Sequence, residues 1–125
     1  DYGRASIIFA ILEKRIGLNL ASQDIFVNIA GGVKIEEPAM DLGVCLAVAS
    51  SFKNKPIPEK MVVVGEVGLA GEVRAVSQMD KRIKEAARLG FKYCLLPGNN
   101  STKAIDGLEL KGIKKVEEAL KLALA

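Results

Sequence analysis

The chain has 125 residues, half of them apolar, with 26% charged residues of both signs and a net charge of +3. That is enough apolar material for one domain with its own core. Its longest apolar runs, IIFAIL and LGVCLAVA, are far shorter than the roughly 20 residues a membrane-spanning helix needs, so a compact, soluble, cytoplasmic unit with no membrane contact is expected. Histidine is absent, which excludes Ser-His and Cys-His nucleophile pairs and histidine-containing zinc sites within these residues.

In chain order, residues 4–16 place Ile8, Ile11 and Leu12 at helical spacing and predict a helix. The alternating segment DIFVNIA, residues 24–30, predicts a strand closed by Gly31 and Gly32. In KIEEPAMDLGVCLAVASS, Pro38 suits a first helical turn, and the residues after it are apolar on nearly every face, predicting a central helix. MVVVGEVG and GEVRAV predict two strands joined at Gly68 and Gly71. A helix from Ser77 to Leu89 is expected to stop at Gly90, followed by the strand KYCLLP, the loop GNNST, a short strand near residues 108–110 and a last amphipathic helix from Lys114. This irregular alternation predicts one α+β domain, with a mixed sheet packed with helices, over residues 1–125. The start at Asp1 without a methionine leads us to expect a domain cut from a longer protein.

Few motifs offer chemistry. Cys45 and Cys94 lie in apolar contexts, LGVCLAVA and FKYCLLP, which suit buried inert thiols. VGEVGLAGEV lacks the GxxxxGK[ST] spacing of a phosphate loop and precedes no helix directly, so hairpin turns are expected there, without ATP binding. Serine with lysine is the remaining nucleophilic pair. Ser77 and Lys81 are spaced i, i+4, but a helix N-cap and a solvated first-turn lysine account for them better than a dyad. The few aromatic residues, in apolar contexts, do not suggest a base-stacking platform.

VVVGEVGLAGEVRAV, a following helix and AARLGFKYCLLPGNN, together with the upstream EEPAMDLGVCLAVAS, resemble the Lon proteolytic domain over almost the whole chain. The resemblance implies a Lon-like fold and a serine nucleophile with a lysine base. The serine position falls on Ala39 and the lysine position on Asp80, so the dyad is absent and a pseudo-protease is expected. A one-residue shift would supply Lys81 but leave Ala39 facing it, and Asp41 stands where that family has glycine. Ala39 and Asp80 are expected to lie near one another in the structure. LEKRIGL, DIFVNIAGGVKIEEPAMDLGVCLAVASS and KRIKEAARLGFK further resemble the C-terminal region of the RadA (Sms) family of bacterial DNA repair proteins. That resemblance implies a zinc-binding segment and a RecA-like ATPase elsewhere in the parent protein, with ATP, magnesium and zinc as its cofactors and none in this domain. It also implies a hexameric ring that promotes branch migration in recombination, with this module supporting the ring and contacting DNA.

Two basic groups bear on that role. At 100° per residue, Arg4 and Arg15 share one line inside the apolar arc of the first helix, with Lys14 on the flank. They either snorkel over the core or meet a partner or phosphate. Arg74, Lys81, Arg82, Lys84 and Arg88 form the second group, read either as a solvated face or as a phosphate-contacting patch multiplied by ring symmetry. Lys34 lies in the glycine loop before Ala39. Arg4, Arg15, Lys34, Arg74, Lys81 and Arg82 are therefore the expected DNA-contact residues. The alternatives are a protein-docking domain without DNA contact and, more remotely, a Ser-Lys peptidase.

Overall fold

A computed structural model describes residues 7, 8, 10, 11 and 37–124 of the chain. The expected strand at 24–30 and most of the expected first helix lie outside the described residues, although Ile7, Ile8, Ala10 and Ile11 are helical.

Pro38 opens a single 3-10 turn, Pro38–Met40, that leads directly into helix α1, Asp41–Lys53. The Glu37 side chain caps this start by accepting the Ala39 amide at 3.4 Å. Leu42, Cys45, Leu46 and Ala49 line the buried side of α1 at i, i+3, i+4 and i+7. The helix ends at Asn54, whose φ of 54° is a left-handed conformation that asparagine tolerates.

Strand β1, Met61–Val63, and strand β2, Glu66–Val67, are separate. The sequence pattern VVVGEV reads as one strand, but the chain changes partners in the middle of it. The Val64 amide still donates to Leu95 at 2.9 Å, whereas the Gly65 amide donates to Ala39 at 2.9 Å and the Gly65 carbonyl accepts from Leu42 at 3.0 Å. Strand β2 then pairs antiparallel with β3, Val73–Arg74. Their connection is a tight hairpin: Gly71 donates to the Gly68 carbonyl at 2.9 Å and takes a φ of 80°, which favours glycine.

Helix α2, Met79–Arg88, begins two residues after the expected start. Its N-cap is Gln78, at φ 57° and without a side-chain capping bond, so Ser77 is not the cap. Its end follows expectation. Gly90 donates to Ala87 and Phe91 to Ala86, both at 3.1 Å, the paired closure of a helix that stops at a left-handed glycine. Strand β4, Tyr93–Pro97, strand β5, Glu109–Ile113, and helix α3, Val116–Ala123, complete the described elements. The Glu118 carboxylate accepts the Lys114 and Lys115 amides at 2.9 and 3.1 Å and fixes the entry into α3.

The architecture mixes helices and strands as an α+β domain. Its strands divide into a parallel sheet of order β1-β4-β5 and the antiparallel β2-β3 pair. Tyr93, Cys94 and Leu95 pair with Met61, Val62 and Val63 on one side and with Glu109, Leu110 and Lys111 on the other. The sheet separates two cores, because successive β4 side chains point to opposite faces. Leu95 belongs to a cluster with Leu42, Leu46, Ile113 and Leu120, which Ile8 and Ile11 also join. Cys94 and Leu96 belong to a second cluster with Met79, Ile83 and Ala86 of α2. Among the described residues no helix is long and apolar enough to cross a membrane.

Candidate functional site

The segments that carry Ala39 and Asp80 come together where the Pro38–Met40 turn, the Gly65 switch and the start of α2 meet. Ala39 is 4% exposed and shares the second core with Met79 and Ile83, which bracket Asp80 in sequence. Glu37 reaches the same helix: its carboxylate binds the Arg82 guanidinium at 3.1 Å, while Arg82 Nε donates to the Ser77 carbonyl at 2.9 Å. The two segments are therefore tied together at the surface by Glu37 and Arg82 and packed together beneath it by Ala39.

Ala39 offers a methyl group to the core and has no nucleophile. Asp80 is exposed, and its Oδ1 accepts the Lys103 backbone amide at 3.3 Å. Lys81 is also exposed. Asp41 is 1% exposed, and its Oδ2 accepts the Val67 amide at 3.1 Å. A carboxylate in that place is part of the fold, joining the start of α1 to β2.

A second set of bonds holds the loop after β4. The Asn100 side chain accepts the Val76 amide at 3.1 Å and donates to the Val76 carbonyl at 2.9 Å. Together with the bond from Lys103 to Asp80, this fastens residues 100–103 to the segment entering α2. The sequence marks GNNST only as a loop, and the doublet Asn99-Asn100 is its single hint of a side chain that mimics backbone.

The expected basic residues fall into distinct groups. Arg74, exposed on β3, binds Glu72 at 2.9 Å; Arg82 binds Glu37; Arg88 binds Glu85 one turn away. Hydrogen bonding from Arg74 holds the Glu72 carboxyl below its ordinary range, and Arg88 does the same to Glu85. Such exposed pairs are screened by solvent and weak, so a phosphate can compete for the arginines. Lys81 and Lys84 are exposed and form no ion pair with another described residue. Arg4, Arg15 and Lys34 lie outside the described residues.

Other chemistry finds little support here. Burial pushes the Cys45 thiol up to about 12 and the Cys94 thiol up to about 11, which leaves both protonated at neutral pH. The amides of the glycine-rich stretch are used within the hairpin or its neighbours: Gly65 to Ala39, Gly68 to Glu72, Ala70 to the Glu72 carboxylate and Gly71 to Gly68. They do not form a cradle for phosphate. Among the described residues no group of three histidine, cysteine, aspartate or glutamate side chains could hold a metal ion.

A parallel sheet covered by helices on both faces, with a hairpin folded against one end, defines a mixed α and β module. The chain belongs to the family described as subunit ChlI of Mg-chelatase, whose model matches residues 4–100. It is also similar to bacterial proteins named DNA repair protein RadA. The one from Halalkalibacterium halodurans is 46% identical over 126 residues, covering 99% of this chain and 28% of the relative. The Bacillus subtilis protein is 47% identical over 127 residues, covering 99% and 28%. The Streptococcus pneumoniae protein is 46% identical over 127 residues, covering 100% and 30%. The chain thus spans under a third of the length of these relatives.

Proposed function

We propose that this chain is a noncatalytic oligomerisation and DNA-contact module of a DNA repair protein that carries a RecA-like ATPase elsewhere. The observation that carries the reading is the identity of 46–47% to proteins named DNA repair protein RadA along 99–100% of this chain. In this reading the domain descends from a Lon-like proteolytic fold and has lost its chemistry, since a buried alanine, Ala39, stands at the nucleophile position. ATP, magnesium and zinc belong to the parent protein, and this module takes none. The parent forms a six-membered ring, and contact with DNA runs through backbone phosphates.

The pairing of Arg74, Arg82 and Arg88 with carboxylates favours a second reading, in which this surface docks a protein and does not touch DNA. One experiment separates the two. DNA binding is measured against salt concentration, with oligomer mass followed by light scattering, for the wild type and for alanine variants at Arg4, Arg15, Lys34, Arg74, Lys81 and Arg82. Phosphate contact predicts similar losses on unrelated sequences and a salt dependence that flattens by close to one unit per contact removed. Unchanged affinity and salt slope in an intact ring would select the docking reading.

A further inference from the structure

We propose that Asp80 is a positioning residue: it fastens the loop after β4 to the first turn of α2 and thereby adds Lys103 to the cationic face of that helix, as a further contact to nucleic-acid phosphates. The proposal rests on the DNA-contact reading above and adds a residue which that reading does not contain.

Asp80 occupies the place where the resemblance expects a catalytic lysine, yet its carboxylate is engaged with a main-chain amide 23 residues away, that of Lys103, at 3.3 Å. The same loop has a second anchor in the two bonds between Asn100 and Val76, at 3.1 and 2.9 Å. Held at both points, the loop brings the Lys103 backbone onto the opening turn of α2. Residues three and four apart are neighbours on a helix surface, so Lys84 lies one turn from Asp80 and one turn from Lys81. Lys81, Lys84 and Lys103 are all exposed. None of the three forms an ion pair with another described residue, whereas Arg74, Arg82 and Arg88 each hold a carboxylate. The uncommitted positive charge of this face is therefore carried by lysines from two separate elements. A lysine ammonium is a compact, strongly hydrated point charge suited to a phosphate. Because Asp80 spends its carboxylate on an amide, its role is exchangeable for any side chain that offers an oxygen acceptor in the same place.

The test follows binding of the full chain to two fluorescein-labelled duplexes of unrelated sequence by anisotropy, over a range of salt, with oligomer mass checked for every variant. Lys81→Ala and Lys103→Ala are each expected to flatten the log-log salt slope by close to one unit, equally on both sequences. Asp80→Ala is expected to flatten it as Lys103→Ala does, and the double variant Asp80→Ala/Lys103→Ala to show no further loss. Asp80→Asn retains an acceptor oxygen and is expected to keep the wild-type slope. If Lys81→Ala flattens the slope and Lys103→Ala does not, the Lys103 contact is wrong while the DNA reading stands. If Lys103→Ala costs as much in the Asp80→Ala background as alone, the positioning role is wrong. A wild-type chain without salt-dependent binding overturns both readings.

Discussion

The Asp41 carboxylate, buried to 1% exposure, accepts the backbone amide of Val67 at 3.1 Å, joining the first turn of α1 to the strand that begins the hairpin. Removing it leaves a buried donor without its partner, and a charge-assisted bond of this kind is worth about 2 kcal/mol. Asp41→Ala is accordingly expected to lose about that much stability in urea denaturation, with Asp41→Asn losing less because an acceptor oxygen remains. Equal losses from the two variants would show that the carboxylate charge, not the bond to Val67, carries the effect.

Restoring the serine and lysine that the Lon resemblance implies is not expected to yield a protease. In Ala39→Ser the hydroxyl starts inside the second core, at a position only 4% exposed, and Asp80→Lys gives up the bond that holds Lys103. An oriented oxyanion site and a desolvated amine are also required. The double variant is expected to release no fluorophore from quenched peptide substrates above background; robust hydrolysis would show that Ala39 and Asp80 alone account for the missing activity.

Glu72 reports on the hairpin. Its carboxyl is held low chiefly by the side-chain hydrogen bonds from Arg74, whose Nε and Nη2 lie 3.3 and 2.9 Å from Oε2. A depressed carboxyl favours the folded state above its unfolded value, and that contribution is lost as pH falls through the lowered folded value. Titration of the carboxyl carbon by NMR is expected to show Glu72 moving up towards the ordinary range in Arg74→Ala, with Glu85 unaffected. No movement of Glu72 would mean that the pair does not persist in solution.

The cysteines set an alkaline limit. With Cys45 raised to about 12 and Cys94 to about 11 by burial, both thiols stay neutral in the folded chain after their unfolded counterparts, near 9.0, have ionised. The sign follows from linkage: stability is unaffected below about pH 8.5 and declines above it as the unfolded state alone loses protons. Urea midpoints measured on either side of that pH are expected to fall less in a Cys45→Ala/Cys94→Ala variant than in the wild type, each compared with its own neutral value. Both thiols are also expected to resist a thiol reagent at pH 8 until the chain unfolds.

How far these features were legible in the residues depends on their range. Local signals worked: Gly90 ends α2, Pro38 opens a helical turn, and the glycines of VGEVGLAG make a hairpin. The break between β1 and β2 was not legible, because VVVGEV is an unbroken strand pattern and the switch at Gly65 is set by Leu95, Ala39 and Leu42. Ser77 looks like a cap and points to a start for α2 two residues early, while the chain uses Gln78 in a left-handed conformation. At the candidate site, the sequence offers Ala39 and Asp80 only as the positions that the Lon resemblance aligns with a serine and a lysine. The bonds that define the surface could not, since Glu37 meets Arg82 across 45 residues and Asn100 meets Val76 across 24, and no spacing rule reaches that far.

Strand β4 has a consequence for how sequence errors propagate. Leu95 feeds one core while Cys94 and Leu96 feed the other, and the strand is bonded on both edges. Sliding it by one residue would turn each of these side chains to the opposite face, exchanging what the two cores receive from β4 and misaligning two ladders. The two halves of the domain therefore cannot drift apart under mutation as independent modules. Insertions and deletions belong in the connections that flank β4, and the pentapeptide itself works as a shared key whose alignment both halves must accept.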